Sequence, residues 1–239
     1  MRTPSYTIIA TAAVAGLLAA CSESSVAPRQ NSVRHSPTQT SSFDIAAASG
    51  MSDGTVLSAD FTISPSGTTV TIGDNITLTF PANSVCDPST SSYGDGHWDE
   101  ACTPISGPLA MHVTYGNLNG SLGFDFSPAI RFVPTGSQSN WVTISTMMFA
   151  SQILANKDYY AGHKEALYPL SVYYAATLGG AKNKDWKDDK TLVTKVDLNT
   201  GRVWRRIKHF SGYLITTGEP CDPSPDNPDC IDDGDGGHG

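Results

Sequence analysis

Two short stretches of this chain carry side chains of the kinds that do chemistry. The first, Asp95-Gly96-His97-Trp98-Asp99-Glu100, sets one imidazole among three carboxylates. A metal ion would need several of these groups to converge, and zinc is usually held by spaced His and Cys ligands rather than by one contiguous run. The stretch therefore reads as a surface loop with a packed Trp98 and no metal, in which Trp98 and Tyr93 could stack on a sugar. The second is His209-Phe210-Ser211, an imidazole and a hydroxyl on either side of a phenylalanine. Elsewhere the charge collects in the tail, Glu219 to Gly239, whose six aspartates explain much of the formal net charge of -8. Its run Asp232-Asp233-Gly234-Asp235-Gly236-Gly237 lacks the alternating ligands and distal glutamate of a calcium loop, so it reads as a solvated acidic tail. There is no Gly-x-Ser-x-Gly, no His-Glu-x-x-His, no phosphate loop and no dinucleotide fingerprint. No cofactor is expected. An acidic chain whose basic stretch, Lys182 to Lys195, is interrupted by Asp185, Asp188 and Asp189 is not expected to bind nucleic acid.

The elements that must position these groups are strands. Strand-like runs recur between turn residues: Val56–Ile63, Thr68–Ile72, Ile76–Phe80, Leu109–Tyr115, Ile130–Val133, Val142–Met148, Leu170–Ala176, Thr191–Leu198 and Arg202–Gly218. Ile76-Thr77-Leu78-Thr79-Phe80 and Met111-His112-Val113-Thr114-Tyr115 alternate as half-buried antiparallel strands do, with His112 facing outward. Many short strands with Gly, Pro and Asn-Gly punctuation predict an all-β protein, an antiparallel β-sandwich or barrel. Asp197-Leu198-Asn199-Thr200-Gly201 predicts a hairpin turn. Only Ser151–Ala166 has the makings of a short helix. The last stretch holds two competing apolar parities, Val203, Ile207, Tyr213 and Ile215 against Trp204, Phe210 and Leu214. A regular strand buries only one set, so a bulge or kink near Lys208–Gly212 is expected, with His209-Phe210-Ser211 on it.

At the front, Met1 to Ala20 has one positive residue, Arg2, and then an apolar run too short for a comfortable membrane span, as an export signal requires. Its end, Leu18-Ala19-Ala20-Cys21, resembles the lipobox of bacterial lipoproteins. That resemblance implies removal of residues 1–20 and acylation of Cys21, an anchor in the cell envelope. Ser22 in place of aspartate points to the outer membrane. Acyl chains contribute about 0.8 kcal/mol per buried methylene, so several hold a protein firmly at a membrane surface. Residues 21–54 are rich in Ser, Thr, Ala, Gln and Pro and read as a lipidated tether. Residues 55–218 suit one folded domain, and 219–239 form the acidic tail. Apart from Cys21 the chain has Cys86, Cys102, Cys221 and Cys230. In an exported protein these are most simply two disulfides, Cys86 with Cys102 and Cys221 with Cys230, out of three possible connectivities. The first would close the polar insertion Asp87–Ala101 onto the edge of the domain.

Leu78-Thr79-Phe80-Pro81-Ala82-Asn83-Ser84-Val85 and His209-Phe210-Ser211-Gly212-Tyr213 resemble the two signature stretches of ZU5-type β-sandwich domains. The chain departs from that family in its Ala82-Asn83-Ser84 turn and in the Cys86–Cys102 insertion. In some ZU5 proteins His-Phe-Ser is a site of self-cleavage. The resemblance implies Ser211 as nucleophile, His209 as base and Phe210-Ser211 as the bond broken. Taken together, these features lead to the expectation of a non-catalytic interaction or structural module of the envelope, contacting an envelope protein or polysaccharide. The alternative is an autoproteolytic module, and a third is carbohydrate binding through Trp98, Trp141 or Trp186.

Overall fold

The structure, a computed structural model, describes residues 43–183, Asp185, residues 189–216 and Ile231–Asp232. Two antiparallel sheets form a β-sandwich. One sheet orders β1 (Val56–Ile63), β4 (Leu109–Leu118), β5 (Ser121–Arg131), β10 (His209–Thr216) and β7 (Ser171–Tyr174). The other orders β8 (Thr194–Asp197), β9 (Arg202–Arg206), β6 (Thr143–Thr146), β3 (Ile76–Phe80) and β2 (Thr68–Ile72), with the two-residue β11 (Ile231–Asp232) lying parallel to β8 at its edge. The inward residues of both sheets make one core, in which Leu78, Val113, Phe124, Ile144, Val196 and Phe210 are all buried. Alternation creates this core: Ile76, Leu78 and Phe80 point in, while Thr77 and Thr79 stay half-exposed on the outer face.

The first three strands have the bounds expected from their alternation. The turn at 197–201 also forms: Asp197 accepts from the backbone amides of Asn199 and Thr200, and Gly201 takes a φ of 74°. A Cβ at Gly201 would lie 2.6 Å from Ala150 Cα, so close approach and positive φ both require glycine there. The helical stretch is broken into α2 (Ala150–Ala155), α3 (Lys157–Gly162) and a 3-10 turn over Lys164–Leu167.

Two features extend the reading from sequence. The folded unit begins before residue 55: Phe43 and Ile45 are buried, Phe43 packs edge-on against Phe149 at 5.2 Å, and a short helix, α1 (Ile45–Ser49), is capped by Asp44 and ended by left-handed Gly50. Residues 121–131 form one long strand, of which only the last residues were expected. The polar and proline-containing run Ser127-Pro128-Ala129 interrupts its alternation. The export signal, Cys21, Cys221, Cys230, Trp186 and nearly all of the acidic tail lie outside the described residues.

Candidate functional site

The chain does not run through residues 202–216 as one strand. β9 belongs to one sheet and β10 to the other, and Ile207-Lys208 carry the chain between them. Ile207 donates its N–H to Val142 O at 3.0 Å, and Lys208 O accepts from Phe132 N at 2.8 Å, so the crossing is hydrogen-bonded rather than loose. A second irregularity follows at once. Phe210 pairs with Ile130 but Gly212 pairs with Asp125, so Ser211 alone faces residues 126–129 of β5. These two breaks resolve the parity conflict. Val203 and Ile207 point into the core, Phe210 does so again after the crossing, and Tyr213 and Ile215 do so after the bulge. Leu214 turns outward to pack with Tyr173 and Ala175. Glycine is required after the bulge, because a Cβ at Gly212 would fall 2.4 Å from Ala175 O and 2.8 Å from Phe124 O.

The two stretches that carry the family resemblance meet here. Phe80 lies edge-on to Phe210 at 5.6 Å, Val85 bridges to Phe132, and Val133 N donates to Ser84 O. The Cys86–Cys102 disulfide is formed. Arg131 fastens the closed insertion to the sandwich: its guanidinium donates to the carbonyls of Ser92 and Glu100, and Cys86 N donates back to Arg131 O. A buried arginine with a planar fork of donors suits a loop whose unpaired carbonyls need partners. Nothing in the local pattern of β5 distinguishes Arg131 from a solvated residue, which is why sequence alone did not single it out.

Thus held, the insertion lays Trp98 on His209. The rings stack at 3.9 Å with 21° between their planes, while Tyr174 meets the imidazole edge-on at 4.5 Å. His209 is only 2% exposed and its Nδ1 has no hydrogen-bond partner among the described residues. Burial, together with the positive charges of Arg205 and Lys208, pushes its pKa down to about 3, so the ring is neutral at physiological pH. Tyrosine hydroxyls hold the backbone around it. Tyr93 donates to Phe210 O at 2.7 Å and Tyr213 donates to His209 O at 3.0 Å. Burial pushes the Tyr93 hydroxyl up to about 12, which keeps it a donor. Ser211 Oγ donates to the Tyr174 hydroxyl at 3.1 Å and makes no hydrogen bond with His209. Among the described residues, left-handed φ outside glycine occurs at Asn83 and Asn119 and not at His209, Phe210 or Ser211.

Above His209 opens a cleft of about 400 Å³. Trp98, Tyr174 and His209 line it together with Asp95, Asp99 and Asp189. Lys208 lies between two of these carboxylates, 2.7 Å from Asp99 and 2.6 Å from Asp189. Burial alone would lower the Lys208 pKa, but the two aspartates outweigh it and raise it, so the ammonium stays charged. Below them Arg205, fully buried in β9, donates to Val172 O and pairs with Asp185. Arg205 and Tyr174 were not singled out from the sequence because no local pattern announces them, and Asp185 entered only as an acidic interruption of the Lys182 to Lys195 stretch.

The other sequence candidates lie elsewhere. His97 pairs within its own loop, with Nδ1 2.8 Å from Glu100. Among the described residues no three His, Cys, Asp or Glu side chains cluster to hold a metal ion. His112 faces outward beside Asp60. Trp141 is not the open stacking platform that the sequence suggested: it is 6% exposed and Arg206 covers its ring at 4.7 Å. No family model, curated protein or solved structure matches this chain.

Proposed function

We propose that this chain is a non-catalytic, lipid-anchored, ZU5-like β-sandwich module of the bacterial cell envelope that engages an envelope partner through the cleft over His209. The observation that carries this reading is the cleft itself, a concave site with aromatic walls and a few convergent polar groups, framed by a disulfide-closed loop. The lipobox-like Leu18-Ala19-Ala20-Cys21 run supports the anchor, and Ser22 after it supports the outer-membrane address. Two measurements test it. Labelled palmitate should enter the full chain expressed in bacteria and fail to enter Cys21→Ser. Crosslinking in the envelope should yield adducts through the cleft that vanish in Asp95→Arg at unchanged melting temperature; adducts indifferent to that change overturn the assignment of the cleft.

A second reading, self-cleavage at Phe210-Ser211, is favoured by one specific contact, the Tyr93 hydroxyl on Phe210 O. Attack of Ser211 Oγ on the Phe210 carbonyl carbon would place negative charge on that oxygen, where Tyr93 donates. The hydroxyl proton passes to a base, the C–N bond breaks to leave an ester and a free Ser211 amine, and water then opens the ester. The Ser211 hydroxyl is instead engaged with Tyr174, and no left-handed backbone strain marks the bond. Intact mass under denaturing, reducing conditions decides. One mass for the whole chain rejects cleavage. Two fragments summing to the chain plus one water, absent in Ser211→Ala, establish it.

A further inference from the structure

We infer that the cleft over His209 receives a basic side chain of a partner protein, with its guanidinium or ammonium group held between the Trp98 and Tyr174 rings and the aspartates of the rim. This rests on the preceding assignment of the cleft as a binding site. The charges on its lining are asymmetric. Among the described residues, Asp95, Asp99, Asp185 and Asp189 line it, against one lysine, Lys208. Lys208 is already shared by Asp99 and Asp189, and Asp185 is paired with Arg205 from beneath. Asp95 has no ion-pair partner among the described residues and is exposed. A carboxylate without a partner beside aromatic faces attracts an organic cation in two ways, through its charge and through the negative faces of the rings.

His209 adds a third argument. It is nine-tenths buried or more, it lines the cleft, and its Nδ1 finds no partner among the described residues. Burial keeps the ring neutral, so it adds no positive charge to compete with a bound cation. Carboxylates and π faces over a neutral imidazole together ask for a cationic ligand made of donors. A guanidinium has five N–H donors and no acceptor, and an ammonium has three. A neutral polysaccharide offers as many acceptors as donors and would find few donors here. An acidic one would be repelled by the rim. The volume, about 400 Å³, is within the range of small-ligand pockets and admits one long side chain with its flanking backbone.

The test uses the full chain in detergent with 15N-labelled tryptophan. The Trp98 indole signal is identified by its loss in Trp98→Phe. N-acetyl-arginine amide, N-acetyl-lysine amide, the uncharged isostere N-acetyl-citrulline amide and a neutral oligosaccharide are titrated separately. The expected result is a saturating shift of the Trp98 signal with the two cations, roughly tenfold weaker with citrulline and weakened by added salt. Asp95→Asn, a change at an exposed position, should weaken cation binding severalfold. Equal affinity for arginine and citrulline, or a shift with the oligosaccharide alone, overturns the cation inference while the cleft remains a binding site. No shift with any of the four overturns both.

Discussion

On the core side of residues 209–211, Phe210 is fully buried among aromatic rings. It stacks on Phe126 at 4.0 Å with 9° between planes, and meets Phe80 and Phe132 edge-on. On the outer side, one residue earlier, His209 is nearly as buried but lies between Trp98 and Tyr174 with a nitrogen left unpaired. Packing alone accounts for the first arrangement: offset and edge-on rings at these separations are favourable, and the cluster closes the joint between the sheets. It does not account for the second. A fold seeking only stability would place an apolar ring at 209, because an unsatisfied buried nitrogen costs about 1–3 kcal/mol. The contrast locates the structural duty of the His-Phe-Ser stretch in Phe210 and leaves His209 as the residue whose burial the proposed binding role of the cleft would explain.

That contrast can be broken, most forcefully at Phe210. Phe210→Ala should lower unfolding free energy by about 3–5 kcal/mol in urea titrations, the cost of a large core cavity. A loss below about 1 kcal/mol would show that the ring does not hold the joint. Next comes the loop. Replacing Cys86 and Cys102 together by serine opens a loop whose ends are 16 residues apart, which on the chain-entropy account costs about 3 kcal/mol. The near-ultraviolet circular dichroism signal of Trp98 should weaken with it, whereas an unchanged signal would mean that Arg131 alone holds the insertion.

The smallest effect is the most diagnostic of His209. Its folded pKa is about 3 against an ordinary 6.5. Between these values the unfolded chain binds a proton that the native chain does not, so stability falls as pH falls, by about 1.4 kcal/mol per unit. From pH 7 to pH 5 the native protein should therefore lose about 2 kcal/mol more than His209→Gln does, since the slope begins only near 6.5. Parallel slopes in the two proteins would show that the ring titrates normally and is not buried as described.

Much of the strand layout was legible because alternation is a local signal. Val56–Ile63, Thr68–Ile72 and Ile76–Phe80 were bounded by turn residues and formed as expected. β5 was legible only at its end, since its inward Phe126 is followed by Ser127 and Pro128, which break the pattern where the strand leaves register with β10. The conflict of parities in 202–216 announced an irregularity but not its form. One bulge would have satisfied the apolar pattern as well as a change of sheet, and the chain uses both.

The sequence by itself determined the alternating strands, the turn at 197–201 and the place of the backbone irregularity, and made Cys86 with the nearby Cys102 the simplest of three possible pairings. All of these depend on residues close together along the chain, where stereochemistry and short loop closure dominate. Only the tertiary structure decided that Trp98 covers His209, that Arg131 holds the insertion, that Tyr93 reaches Phe210 O, and that Lys208 lies between Asp99 and Asp189. Each of those contacts joins residues far apart in the chain. Their geometry follows from how two sheets cross at one joint, and a local pattern carries no record of that.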